Sequence, residues 1–310
     1  MEMSNQSPTQ APEEGTPTNN WGRWGADDER GALNLLTPDV VAEAARVPRT
    51  GKVYSLGLPI QRSGIPNFDY RGIPQRLTLV NHADEQMSHS MGGPPGVGSN
   101  EDMFVMAAHT ATHLDALGHC YADYRLYNGF PHDEVTPYTG APRCSIDKVG
   151  AIVGRGVLLD VASAKGVDQL DPGYVVTPAD LEQTLEAQGS SLRQGDLVLI
   201  RTGWLDAFMR DPATPLHPQP GLGMDAADFL VRYDPAVVGA DNGAVETMPF
   251  DQDVFMGVHL ILLVRHGIHL VENVVLGELA ADRCHEFLLT IAPLRVTGAT
   301  GCPVTPVALG

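Results

Sequence analysis

The chain has 310 residues, 43% of them hydrophobic, with a formal net charge of −18. That length and apolar content suffice for a large buried core, and 33 Gly and 24 Pro scattered along the chain fit a loop-rich α/β protein rather than a disordered one. So acidic a surface repels nucleic-acid phosphates and anionic membranes, so neither is expected as a partner, and the charge itself reads as a solubilising surface.

Met1 to Asn20 are polar with no apolar stretch, so they read as a disordered tail without a secretory signal, ahead of a single domain over 21–310. Trp21 to Leu36 mixes aromatic, acidic and apolar residues and reads as an ordered arm. Thr37-Pro38-Asp39 opens a helix through Ala45, with Thr37 as its cap. Lys52–Ile60, Gln75–His82 and Asp102–Ala108 read as strands. Between the last two, the Gly/Met/Pro-rich stretch around His82, His89 and Gly98 reads as a lid or as plain polar loop. Gly156–Val161 is a buried strand, and Thr177 with Asp180 forms a capping-box variant for a helix that ends at Gly189. Asp196–Arg201 is a strand leading to a Thr202-Gly203-Trp204 turn, and Met224–Val231 is helical. Strand Ala236–Gly239, helix Phe255–Arg265, strand Gly267–Val271 and the segment His285–Pro293 complete the pattern.

This alternation predicts a mixed α/β sheet with a β-rich first third. No GxGxxG precedes a helix and no GxxxxGK[ST] occurs, so nucleotide cofactors have no support. The longest strongly apolar stretch, Val258–Val264, is too short to cross a bilayer. Cys120, Cys144, Cys284 and Cys302 form no CxxC pair, which predicts reduced thiols and a cytoplasmic location.

The chemistry concentrates in His109-Thr-Ala-Thr-His113-Leu-Asp115-Ala-Leu-Gly-His119, where three of the chain's 11 histidines and a carboxylate fall together. One metal held at about 2.1 Å from each ligand atom needs those atoms within about 4 Å of one another. On a straight strand His109 and His113 would stand about 13 Å apart. On a helix they would meet, but Asp115 would point away. A shared ion therefore requires the chain to bend here. His113 and Asp115 share strand parity, Gly118 gives freedom before His119, and Cys120 points away from His119 on an extended chain. A His/Asp donor set without thiolate suits Zn²⁺ or Mn²⁺. Later in the chain, His259 on an apolar helix reads by itself as a core histidine. Glu272, ending an apolar strand, needs a cation or an Arg if it is buried.

HTATHLDALGH resembles the HxGTHxDxxxH signature of the cyclase family of metal-dependent hydrolases, which includes kynurenine formamidases and isatin hydrolases. Ala111 stands where that signature usually has Gly, a change that removes no ligand. WGADDERGALNLLTP, Tyr127-Asn128-Gly129, Gly239-Ala-Asp241-Asn242 and His259 through Glu272 are similar to the longer members, extending the likeness over about Trp21–Pro293. The resemblance implies a cyclase-like swivelling β/β/α fold and a homodimer or homotetramer. It implies His109, His113 and Asp115 as ligands of a divalent ion (Mn²⁺ or Zn²⁺), with His259 and Glu272 as further ligands where a second ion binds. His119 is then the general acid/base beside an activated water.

The implied substrate is a small cyclic amide, a lactone or an N-formyl arylamine. Trp21, Trp24, Phe68 and Tyr70 are candidates for a stacking wall, and Arg201 or Arg62 for pairing with a carboxylate. The alternatives are an arylformamidase of tryptophan breakdown, a non-catalytic metal or small-molecule binding protein, and a dehydrating cyclase. His119, beyond a complete ligand set, speaks against the second.

Overall fold

The computed structural model describes residues 18–211 and 213–310. The tail expected over Met1–Asn20 lies outside the described residues as far as 17. Asn20 itself is buried, its backbone and side-chain amides donating to the carbonyls of Arg265 and His266.

The strands are β1 (Val53–Ser55), β2 (Gln75–Val80), β3 (Glu101–Val105), β4 (His113–Asp115), β5 (Ile152–Asp160), β6 (Val175–Val176) and β7 (Leu197–Arg201). They continue with β8 (Gly221–Leu222), β9 (Val237–Ala240), β10 (His269–Glu272), β11 (Glu286–Ile291), β12 (Gly301–Pro303) and β13 (Val307–Leu309). Nine of them form one mixed sheet in the order β1-β13-β11-β5-β7-β9-β10-β4-β12. Its centre, β5-β7-β9-β10, is parallel, and antiparallel strands flank it on both sides. This is the mixed α/β sheet anticipated from the alternation of elements.

Strand parity sorts the central residues into two cores. Val157, Leu159, Val198, Ile200, Val238 and Leu270 face the helices Pro178–Gln188 and Met224–Val231 and the helical segment around Val258–Val264. Leu158, Leu197, Leu199, Val237 and Val271 face the opposite layer, which holds Leu276 and Leu279. With both faces buried, these strands carry continuous apolar runs, and their charged residues lie at the ends of those runs.

Several local readings hold. Met224–Val231 is helical over the expected residues, and Thr177 and Asp180 cap Pro178–Gln188 reciprocally before the left-handed Gly189. The strand expected over Lys52–Ile60 shortens to three residues, because its partner β13 is preceded by Pro306, which has no N–H to continue the ladder. The segment read as a Thr202–Trp204 turn runs on into a helix, Trp204–Arg210. The helix expected over Phe255–Arg265 starts at Gly257 and widens into a π-helical stretch over Leu260–Arg265. No helix among the described residues is long and apolar enough to cross a membrane.

The arm Trp21–Leu36 is held within its own chain. Trp21 Nε1 donates to the Val264 carbonyl at 2.8 Å, and Tyr127 donates to Asp28. Asn128 donates to the carbonyls of Gly25, Ala26 and Asp28. The two motifs singled out from the sequence, WGADDERGALN and Tyr127-Asn128-Gly129, are therefore each other's hydrogen-bonding partners.

Candidate metal centre

His113 and Asp115 alternate with Leu114 on β4, so both project to one face while Leu114 packs into the opposite core. Antiparallel pairing with β10 sets Glu272 directly across from His113. His109 precedes the strand. The chain between them turns at Ala111, whose φ of 55° lies in the left-handed region. That conformation explains why a Gly is usual at this position, since a Cβ there is strained. The turn folds His109 back until its Nδ1 lies 2.6 Å from Asp115 Oδ1, with its ring 5.1 Å from that of His113 and nearly perpendicular to it. The bend inferred from ligand spacing is present.

Gly301 on β12 lies opposite Asp115, and a Cβ there would meet the His109 ring at 2.5 Å. We expect Gly301→Ala to push His109 off Asp115 and weaken metal binding about 10–100-fold, as loss of an orienting contact does. A metal titration of the folded variant checks this, and an unchanged affinity would show that the ring has room to move.

His259 arrives from the opposite side, at the last residue before the π-helical stretch. Its Nδ1 hydrogen-bonds Glu246, whose carboxylate also accepts from the backbone amides of Val258 and His259. This leaves Nε2 facing inward, 3.6 Å from Asp115 Oδ2 and 3.3 Å from Glu272 Oε1. His113 is oriented in the same way: Nδ1 donates to the Ala111 carbonyl at 2.9 Å and Nε2 points to Glu272 at 3.0 Å. A ring nitrogen committed to an acceptor fixes the tautomer and presents the other lone pair. Glu246 was not singled out from the sequence, where nothing marks a carboxylate 13 residues ahead of a histidine as its partner. Glu246→Gln is expected to lower metal affinity about 10–100-fold with the fold retained, which calorimetric metal titration would measure.

Two sets of ligand atoms lie close enough for one ion each: His109, His113 and Asp115, and Asp115, His119 and His259. Asp115 belongs to both. Glu272 bridges them from the side, between His113 and His259. His119, expected to be free of ligand duty, thus stands within ligand reach. Its ring is 4.0 Å from that of His109 and 6.0 Å from that of His259.

The donors fit a divalent cation on the chemistry alone. Asp115 and Glu272 are buried carboxylates paired only with imidazoles among the described residues. His113 Nε2, Asp115 Oδ2 and Glu272 Oε2 are buried and make no aligned hydrogen bond, only the close imidazole–carboxylate contacts just given, an arrangement that a cation would satisfy.

The electrostatics agree. Burial would raise the Asp115 pKa, but the imidazoles of His119 and His109 outweigh it and hold the carboxyl well below its ordinary value. Burial opposes protonation of His113, and the Glu272 and Asp115 carboxylates overcome it, raising the pKa. His119 goes the other way: burial, only partly opposed by Asp115, lowers it to about 4, so its imidazole is neutral at pH 7.

A cleft of about 500 Å³ opens onto this centre. His119, His259 and Glu272 lie at its base, and Phe68, Tyr70, Phe250 and Phe255 are among its apolar walls. Arg71 crosses from wall to centre, its guanidinium 5.0 Å from the Phe68 ring and donating to the His109 carbonyl. Phe68 and Tyr70 thus sit where a stacking wall was expected, whereas the other candidates do not. Trp24 packs against the core beneath Arg23, and Trp21 is tied to Val264. Arg201 is a correction: its guanidinium is held by Asp160 and Asp206, each at 2.9 Å, because both acids reach it from neighbouring segments of the fold. Arg62 lines a separate groove.

The Cyclase family, described as putative cyclase, matches residues 54–247. A crystal structure of a novel cyclase superimposes with a TM-score of 0.85 at 36% identity, over 94% of this chain and 99% of that one. The kynurenine formamidase of Bacillus cereus is 27% identical over 208 residues, 67% of this chain and 79% of that protein. The isatin hydrolase of Roseibium aggregatum is 26% identical over 218 residues, 66% and 73% of the two. The family match spans more than half of the chain and contains the whole His109–His119 segment, whose bend, parity and inward-facing donors are those just described: the chain belongs to the cyclase family.

Proposed function

We propose that this cyclase-family hydrolase opens an aryl-fused cyclic amide or lactone, or cleaves an N-formyl arylamine, with a Mn²⁺ or Zn²⁺ ion as its cofactor. The observation that carries the reading is the set of inward-facing donors His113 Nε2, Asp115 Oδ2 and Glu272 Oε2, which crowd together without an aligned hydrogen bond beside an aromatic cleft. A nitrogen–oxygen donor set without thiolate suits either ion. When bound, such an ion is a Lewis acid that makes water nucleophilic near neutral pH and polarises a carbonyl.

The protein's own groups do the rest. Phe68, Tyr70, Phe250 and Phe255 hold a flat ring and exclude water from the reacting carbonyl. His119, neutral at pH 7 and on the cleft floor, accepts the proton of the attacking water and returns it to the leaving nitrogen or oxygen. Glu246 keeps the His259 Nε2 lone pair turned inward throughout.

The test is metal analysis of protein purified without added metal, paired with turnover of isatin, N-formylkynurenine and simple lactones. Formate release from N-formylkynurenine alone would favour the arylformamidase reading. Stoichiometric metal with no turnover across the panel would replace the enzyme by a binding protein.

We further propose a homo-oligomer. The β2–β3 ribbon is exposed on both faces yet carries Leu77, Leu79, Phe104 and Val105, and a two-stranded ribbon with apolar faces needs cover to be stable. Light scattering of the purified protein at micromolar concentration checks it, and a monomer would end that proposal. Free Cys120, Cys144, Cys284 and Cys302 suit the reducing cytoplasm in which we place the protein.

A further inference from the structure

A second groove, of about 950 Å³, lies on the other side of the molecule, along the β1-β13-β11-β5 end of the sheet. Five strand spacings separate β11, which bounds it, from β4, or about 24 Å. Its walls hold Arg46, Arg49, Lys52, Arg193 and Arg283, five of the 20 Lys and Arg in a chain of net charge −18. Set against the three side-chain carboxylates of the same walls, Glu43, Asp282 and Glu286, they leave this groove locally positive in a strongly acidic chain.

Two of these acids are already engaged. Asp282 is taken by Lys52 and by the Tyr54 hydroxyl, and Glu286 by Arg155 at 3.0 Å. The Gly310 carbonyl oxygen accepts from the amides of Thr50 and Gly51. Glu43 is the remaining carboxylate among the side chains of the lining. Arg46, Arg49, Arg193 and Arg283 are exposed and make no ion pair or side-chain hydrogen bond among the described residues. Their positions are fixed by different elements: the end of the helix Pro38–Ala44, the loop after it, the loop before β7, and the end of the helix Gly277–Ala281.

Arg283 holds φ at 52°, in the left-handed position after a helix that Gly usually fills. A long side chain there costs on the order of 1 kcal/mol of backbone strain, yet it turns a cation into the groove.

We propose that this groove is a binding site for a compact polyanion carrying two or more phosphate groups, separate from the catalytic cleft. Guanidinium forks match phosphate oxygens bidentately, and several of them around one groove select charge density over shape.

Calorimetric titration of the metal-loaded protein with orthophosphate, inorganic tripolyphosphate and ATP tests it. The expected result is saturable binding of tripolyphosphate, at least about tenfold tighter than orthophosphate, each factor of ten being about 1.4 kcal/mol. The Arg46→Ala/Arg193→Ala double variant should weaken it by about tenfold or more, while Arg210→Ala, a surface cation outside the groove, should leave it unchanged. ATP binding tighter than tripolyphosphate would identify the ligand as a nucleotide, and equal or weaker binding as a free polyphosphate. No saturable binding of tripolyphosphate or ATP overturns the proposal. So does binding that the double variant retains, since the ligand would then sit elsewhere, including at the metal centre.

Discussion

Protein carrying His113→Ala is expected to purify without a stoichiometric divalent ion and to lose roughly 10³-fold or more in kcat/KM. The ion's charge stabilisation is worth several kcal/mol, and each 1.4 kcal/mol or so is a factor of ten. His113 is fully buried, its Nδ1 donates to Ala111, and its Nε2 faces Glu272 across the β4–β10 pair. Removing the imidazole deletes a ligand and leaves the Glu272 carboxylate buried without that partner, which also destabilises the fold. His109→Ala separates the two effects, because that ring is partly exposed and contacts Asp115 from the side. It should lose metal and activity with a smaller change in melting temperature. Elemental analysis, steady-state kinetics and thermal unfolding of both variants decide the matter. A metal-loaded, fully active His113→Ala enzyme would falsify the assigned centre.

His119→Ala is expected to keep its metal and lose about 10²–10⁴-fold in kcat, the range general acid–base catalysis supplies. The ring lies on the cleft floor, 4.0 Å from the His109 ring, and burial keeps it neutral at pH 7. Because Asp115, His119 and His259 also stand within mutual ligand reach, the metal content of this variant is the informative number. Retention assigns the proton-transfer role. Loss of one equivalent from a two-ion protein makes His119 a ligand of the second site instead.

Much of the centre was legible in one segment. His113 and Asp115 two residues apart had to share a strand face, and His109 could join them only through a bend, which the structure places at Ala111. Caps were legible for the same reason: Thr177 and Asp180 satisfy each other within one turn of chain. Glu246, by contrast, reaches His259 only because the Gly257–His259 turn presents its amides and ring to that carboxylate. Arg201 looked free in sequence and is held by acids 41 and five residues away.

From the chain alone came the fold class, the shared face of His113 and Asp115, the bend that returns His109 to them, and a nitrogen–oxygen donor set. These depend on strand parity and on side-chain chemistry over a few residues, which neighbours in sequence dictate. His119 was expected clear of the ligands and stands within their reach. His259 and Glu272 were implied by the family resemblance, but how they close the centre, and that Glu246 joins them, was decided only by the tertiary structure. The β4–β10 register that sets Glu272 against His113, and the packing that brings in His259 and Glu246, are long-range pairings selected by burial of the whole core.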